Sequence, residues 1–321
     1  MKHLKLATIL GLASAILYPD NLNAQNLFSD NFDANTAASY TVNQDLDTQA
    51  LFNYDYSADG IPSAPNSTGG STLGVRFRAN YGDTNPVAAA INISPTGAIF
   101  AGDYTLRYDV WLNANGPFPG GGAGSTEFTT AGVGNSGLAV QKSSGTANGA
   151  WFAADNEGGS GIDYRAYRGT ALEGGTSTAY AAPDTGGGNK RNATNSYYHT
   201  AFPGGQTAPA SQQAAFPAQQ TGALKAGTLG FQWREVAVSK VGTTVTWTID
   251  GLTIATLTSA TFGGSNIFVG HWDVFSSIAD NPATAFSVID NLRVEAIPEP
   301  SVLALTVIGA VGGLIFLRRR K

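Results

Sequence analysis

The chain has 321 residues, a formal net charge of −5, 40 glycines, one methionine and no cysteine, which excludes disulfides, thiolate metal sites and cysteine nucleophiles. Charged residues make up 13%, about half the usual share of a soluble domain. The stretch from Gln25 to Pro300 holds 12 basic against 22 acidic residues, a balance that repels nucleic acid.

The first element reads as a signal peptide over 1–24. Lys2 and Lys5 form a basic start, and Leu6 to Leu17 is an apolar run too short to span a bilayer well. Small Ala24 before Gln25 suits signal peptidase. The body is therefore expected outside the cytoplasm.

From 25 to 296 the chain alternates as strands, with almost no helix signal. Asp30-Asn31-Phe32-Asp33 opens it. Val75 and Phe77 alternate with Arg76 and Arg78. Tyr104, Leu106, Tyr108, Val110 and Leu112 form one apolar face, and Trp111 falls on the polar phase of that strand. Trp111 is thus the candidate for an exposed, ligand-stacking aromatic. Between about 113 and 226 the pattern weakens into Gly-rich and Gln/Ala/Pro-rich stretches. Short strands are expected there at Gly149–Ala154 and Gly161–Arg168, within a loop-rich insertion. Val245, Trp247 and Ile249 then run into Asp250-Gly251, a two-residue hairpin turn, and Leu252 to Leu257 returns. Phe286, Val288, Leu292 and Val294 supply a last strand. The expected fold class is all-β, a single antiparallel β-sandwich with long loops.

The run Phe231–Val238, the strand Thr243–Thr248 with Ile249-Asp250-Gly251, the closing Val288–Val294 and the opening Asp30–Asp33 together resemble concanavalin A-like, laminin-G-like jelly rolls. The resemblance implies that the first and last strands are neighbours. It also implies a fold group that hosts both lectins and sandwich glycanases.

Asp30 and Asp290 share strand parity with apolar residues, so both carboxylates are expected to point inward. Two buried carboxylates repel unless a cation or hydrogen-bond donors compensate. A structural calcium ion at Asp30, Asp33 and Asp290 answers that problem, and so do turn caps that bond backbone amides. A glycosidase needs two carboxyl groups about 5–10 Å apart. The glycanase string Glu-x-Asp-x-x-Glu is absent: Glu127, Glu157, Glu173 and Glu235 are solitary, and Asp155-Asn156-Glu157 runs into Gly158-Gly159. In His271-Trp272-Asp273 the indole points opposite to the imidazole and carboxylate if the segment is a strand. Trp272 and Trp151 read as core or as sugar-stacking rings. Only His199 and His271 are open to a Ser–His–Asp arrangement.

The chain closes on Pro298-Glu299-Pro300, the apolar run Ser301–Leu317 and the basic cluster Arg318-Arg319-Arg320-Lys321. A helix over 301–317 reaches about 25 Å, close to the hydrocarbon thickness, and the basic end stays cytoplasmic. By itself this describes a plain tail anchor. The order of the three parts resembles the PEP-CTERM sorting signal of Gram-negative bacteria that make extracellular polysaccharide. That resemblance implies an inner-membrane-anchored precursor, recognition by an exosortase, cleavage near Pro298–Pro300, and release to the cell surface or extracellular matrix. Three functions follow as expectations: a non-catalytic lectin-like protein contacting exopolysaccharide, an exported glycan hydrolase, and a purely structural coat protein.

Overall fold

The computed structural model describes residues 24–82 and 87–298. The signal segment 1–23 and the sorting residues Glu299, Pro300, Arg318, Arg319 and Arg320 lie outside the described residues. Fifteen strands follow one another: β1 (Asn26–Asp30), β2 (Tyr40–Gln44), β3 (Thr48–Asp55), β4 (Leu73–Ala79), β5 (Ala89–Pro95), β6 (Tyr104–Asn113), β7 (Glu127–Asn135), β8 (Ala150–Asp155), β9 (Tyr164–Arg168), β10 (Ala171–Leu172), β11 (Trp233–Val241), β12 (Thr244–Ile249), β13 (Leu252–Leu257), β14 (Asn266–Asp273) and β15 (Phe286–Ala296).

They form two antiparallel sheets. The eight-stranded sheet runs β13-β12-β11-β6-β15-β4-β3, with β1 also paired to β15; the seven-stranded sheet runs β10-β9-β8-β7-β14-β5-β2. First and last strands are neighbours, as the jelly-roll resemblance implies. Strand alternation decides which side chains meet between the sheets. On β6, Leu106, Tyr108, Val110 and Leu112 enter the shared core with Trp247, Phe152, Tyr164 and Ile267. Trp247 on β12 stacks on Phe152 on β8 with ring centroids 5.0 Å apart, a direct tie across the sandwich. Asp250 and Gly251 have φ of 49° and 77°, the left-handed pair that a tight hairpin between β12 and β13 requires.

Three features of the fold differ from expectation. The stretch 113–226 is no excursion from the sandwich: it supplies β7, β8, β9 and β10, four of the seven strands of one sheet. Trp111 is not exposed. It lies at 4% exposure in a cluster with Trp233, Phe231 and Phe286, and its indole meets Trp233 edge-on. The segment after β3 covers this side of the eight-stranded sheet, placing Tyr56 and Ile61 in the same cluster. Asp290 does not share the inward face of Leu292. Ile289 lies in the inter-sheet core and Val288 on the opposite side; Asn291, at φ 53°, then shifts the parity before Leu292 and Val294 return to the core.

Candidate functional site

Residues paired across a ladder share a face, and the register of the seven-stranded sheet defines its outer side. Phe128 pairs with Trp272 and with Asp155, Gly132 with Phe268 and with Trp151, and Trp151 with Tyr167. Ala90 pairs with Trp272, Asn92 with Gly270, and Ala153 with Arg165. Phe128, Trp151, Tyr167, Phe268 and Trp272 therefore form one aromatic surface, separate from the inter-sheet core. Trp151 and Tyr167 lie flat on each other at 4.0 Å and 6°, and Trp272 sits 5.8 Å from Trp151. The Arg165 guanidinium lies over Phe128 at 4.7 Å and over Trp272 at 5.8 Å. Gly132 makes the stacking room: a Cβ there comes within 2.5 Å of both Phe268 and Trp151.

A strap over 136–149 crosses this face. Val140 and Ala147 pack on the aromatic cluster, the Gln141 amide donates to Asn92 Oδ1 at 3.0 Å, and Lys142 pairs with Asp45 at 2.7 Å. The rings beneath are buried. Three polar atoms of the face, Trp272 Nε1, Asn92 Nδ2 and Ser94 Oγ, are buried with no partner among the described residues. Each such group costs roughly 1–3 kcal/mol unless something bonds it.

At the β8–β9 end the face becomes acidic. Asp155 Oδ2 accepts from the Ser160 amide at 3.2 Å, Glu157 Oε1 from the Ser125 and Thr126 hydroxyls at 3.0 Å each, and Asp163 Oδ2 from the Ala193 amide at 2.5 Å. The second oxygen of each carboxyl is buried without a donor among the described residues. Burial raises all three above the usual carboxylate range; for Asp155 the neighbouring Glu157 and Asp163 charges add to it. A proton shared between Asp155 and Asp163 relieves that pair and leaves Glu157 Oε2 bare.

A second polar cluster lies between the sheets. His271 bonds Ser287 Oγ through Nδ1 at 2.9 Å and Glu127 through Nε2. Serine, imidazole and carboxylate in line suggest a nucleophile, yet all three are 0–2% exposed and lie between the two sheets. As the strand parity requires, Trp272 leaves on the opposite face. His199 instead bonds the Ala193 carbonyl at 3.1 Å.

The residues expected to hold calcium are served by protein donors. Asp30 accepts from the Phe32 amide at 2.8 Å and the Tyr40 hydroxyl at 2.9 Å. Asp33 accepts from Ser71 and Asn31. Asp290 accepts from Tyr56 at 3.0 Å, Ser67 at 2.7 Å and the Asn291 amide at 2.7 Å. Among the described residues no group of three carboxylate or imidazole side chains is arranged to hold a metal ion. Sequence reasoning overlooked Tyr167, Arg165 and Asp163. The signal was available in principle: Trp151, Ala153 and Asp155 keep one parity, and a Gly-rich turn returns Asp163, Arg165 and Tyr167 on that same parity.

No family model matches the chain, and neither does any curated protein. Among solved structures, the carbohydrate-binding module CBM66 from Bacillus subtilis overlaps 73% of this chain and 92% of its own, at 10% identity and a TM-score of 0.32. The metal-free Emp46p carbohydrate recognition domain overlaps 86% and 100%, at 10% identity and 0.42. The VIP36 exoplasmic/lumenal domain in its Ca2+/Man2-bound form overlaps 85% and 88%, at 7% identity and 0.41. Scores at this level carry no argument about ligands, so the functional case rests on the residues of this chain.

Proposed function

We propose that the chain is an exported, non-catalytic surface or matrix protein that binds polysaccharide along the outer face of its seven-stranded sheet. One observation carries this reading: Trp151, Tyr167 and Trp272 form an aromatic surface beside buried polar atoms that lack partners. A pyranose ring offers an apolar C–H face to stack on indole and hydroxyls around its rim to bond Trp272 Nε1, Asn92 and Ser94. Sugar hydroxyls both donate and accept, so one ligand class answers all of these groups. The strap must lift for a polysaccharide to enter; it is held by the packing of Val140 and Ala147, by single hydrogen bonds and by one partly exposed ion pair.

Export follows from the signal segment and the sorting tail, with signal peptidase and exosortase as processing enzymes and the inner membrane as a transient station. The test uses protein recovered from the surface fraction, with an intact mass that ends near Pro298–Pro300. Titration of that material with the exopolysaccharide of the producing cells should give saturable quenching of Trp fluorescence. Trp272→Ala should weaken binding about tenfold, because a stacked aromatic contributes on the order of 1 kcal/mol and the Nε1 bond adds more. Equal affinity in wild type and Trp272→Ala sinks the face assignment; a mass that includes Arg318–Lys321 sinks the processing. Release of reducing ends by the purified protein would replace binding with hydrolysis.

A further inference from the structure

Asp155, Glu157 and Asp163 share an unusual state. Each is nine-tenths buried or more, each has one oxygen that accepts from protein donors, and each has one oxygen with no donor among the described residues. The nearest lysine acts on them only through space: the Lys225 charge favours ionised Glu157 and Asp163, while its ammonium donates to the Gly158 carbonyl at 2.5 Å. Arg165, the other nearby cation, spends its Nε on the Ile162 carbonyl at 3.0 Å and an amino group on Ser160 at 3.2 Å. The turn above the carboxyls is Gly158-Gly159-Ser160-Gly161, and Gly159 and Gly161 are exposed. A Cβ at Gly159 would stand 2.4 Å from Glu157 Oε1 and 2.8 Å from Oε2, so the glycine leaves the whole carboxyl its space. On the same face, the buried Trp272 Nε1 also lacks a partner among the described residues.

We infer that these three carboxyls form a cation-receiving subsite that takes the protonated amine of a partly de-N-acetylated hexosamine polymer. The inference rests on the proposed glycan-binding face and names the ligand class that face selects. Calcium needs six to eight oxygens at about 2.3–2.6 Å, and no group of three such side chains among the described residues is arranged for a metal. An ammonium bonds carboxylate oxygens at about 2.8 Å through three separate N–H groups and does not need a closed shell of six oxygens. Its charge also displaces the proton that Asp155 and Asp163 otherwise share. A uronic acid or sulfated sugar would meet repulsion at the same place.

The experiment titrates the full chain, at mildly acidic pH, with a β-1,4-linked glucosamine oligomer and with its fully N-acetylated counterpart of equal length. Calcium chloride alone forms a third arm. The expected result is about tenfold tighter binding of the amino oligomer. Asp163→Asn should bring that ratio close to one, and Trp272→Ala should weaken both oligomers together. Should Asp163→Asn fail to fold, Glu157→Gln reads out the same ratio, because Oε1 can still accept from Ser125 and Thr126. Equal binding of both oligomers overturns the amine subsite and leaves the glycan face standing. No binding of either overturns both. Heat from calcium alone that disappears in Asp163→Asn also overturns the inference, since the subsite is then a metal site.

Discussion

Burial makes a charge on His271 costly, and its two neighbours decide how that cost is avoided. Desolvation lowers the imidazole to about 4 and raises the Glu127 carboxyl well above its ordinary range. Both shifts point the same way, to a neutral acid bonded to a neutral base rather than to an ion pair. Glu127→Gln separates the two descriptions. A neutral amide can take the place of a neutral acid, so the variant should lie within about 1 kcal/mol of wild type in urea unfolding. A loss of about 3–5 kcal/mol would instead mean that an imidazolium had been stranded in the core. The alternation of His271, Trp272 and Asp273 already separates indole from imidazole in the sequence. Glu127 and Ser287, which come from β7 and β15, carry no such local signal. The same limit applies to Asp290, where one left-handed residue, Asn291, reverses a parity that unbroken alternation would assign.

Strands differ in how openly they declare themselves. β6, β12 and β13 alternate apolar and polar residues, and β12–β13 closes on Asp-Gly, so each is legible. β7 reads Glu-Phe-Thr-Thr-Ala-Gly-Val-Gly-Asn, and its two glycines mark it as loop. Every residue in it is buried, because β7 lies at the centre of its sheet with layers on both sides. Gly132 is there for its neighbours: it leaves space for Trp151 and Phe268 to cross the strand. The aromatic face and the weak strand signal thus have one cause. Gly132→Ala should lower stability by about 1–3 kcal/mol through overpacking, and near-UV circular dichroism of the tryptophans should change with it. An alanine variant with unchanged stability and spectrum would mean that the rings do not need this gap.

At the scale of the whole molecule, buried carboxyls on both sheets set how stability responds to pH. Burial raises Asp273 from 3.8 to about 8. Burial raises Asp290 on the other sheet from 3.8 to about 6, with Asp109 adding to it. Asp155, Glu157, Asp163 and Asp109 shift in the same direction, with burial as the leading cause. A carboxyl raised in the folded state keeps its proton there after the unfolded chain has lost it. Its contribution is complete below the unfolded value near 3.8 and is lost as pH climbs through the folded value. His271 acts oppositely. Lowered from 6.5 to about 4, it withdraws stability as pH falls through that window. Several carboxyls oppose one imidazole, so the carboxyls prevail between pH 5 and 8. The thermal midpoint should be higher near pH 5 than near pH 8. Asp273→Asn should flatten the slope, because the amide keeps an acceptor for the Phe275 amide, which bonds Asp273 Oδ1 at 2.8 Å, without the titrating charge. Asn80 Nδ2, which donates to Asp273 Oδ2 at 2.6 Å, also donates to the Val87 carbonyl at 2.7 Å and so keeps a partner in the variant. A midpoint that rises from pH 5 to 8 in wild type would mean that these carboxyls are ionised and compensated in the folded protein, by a bound cation or by water that reaches them.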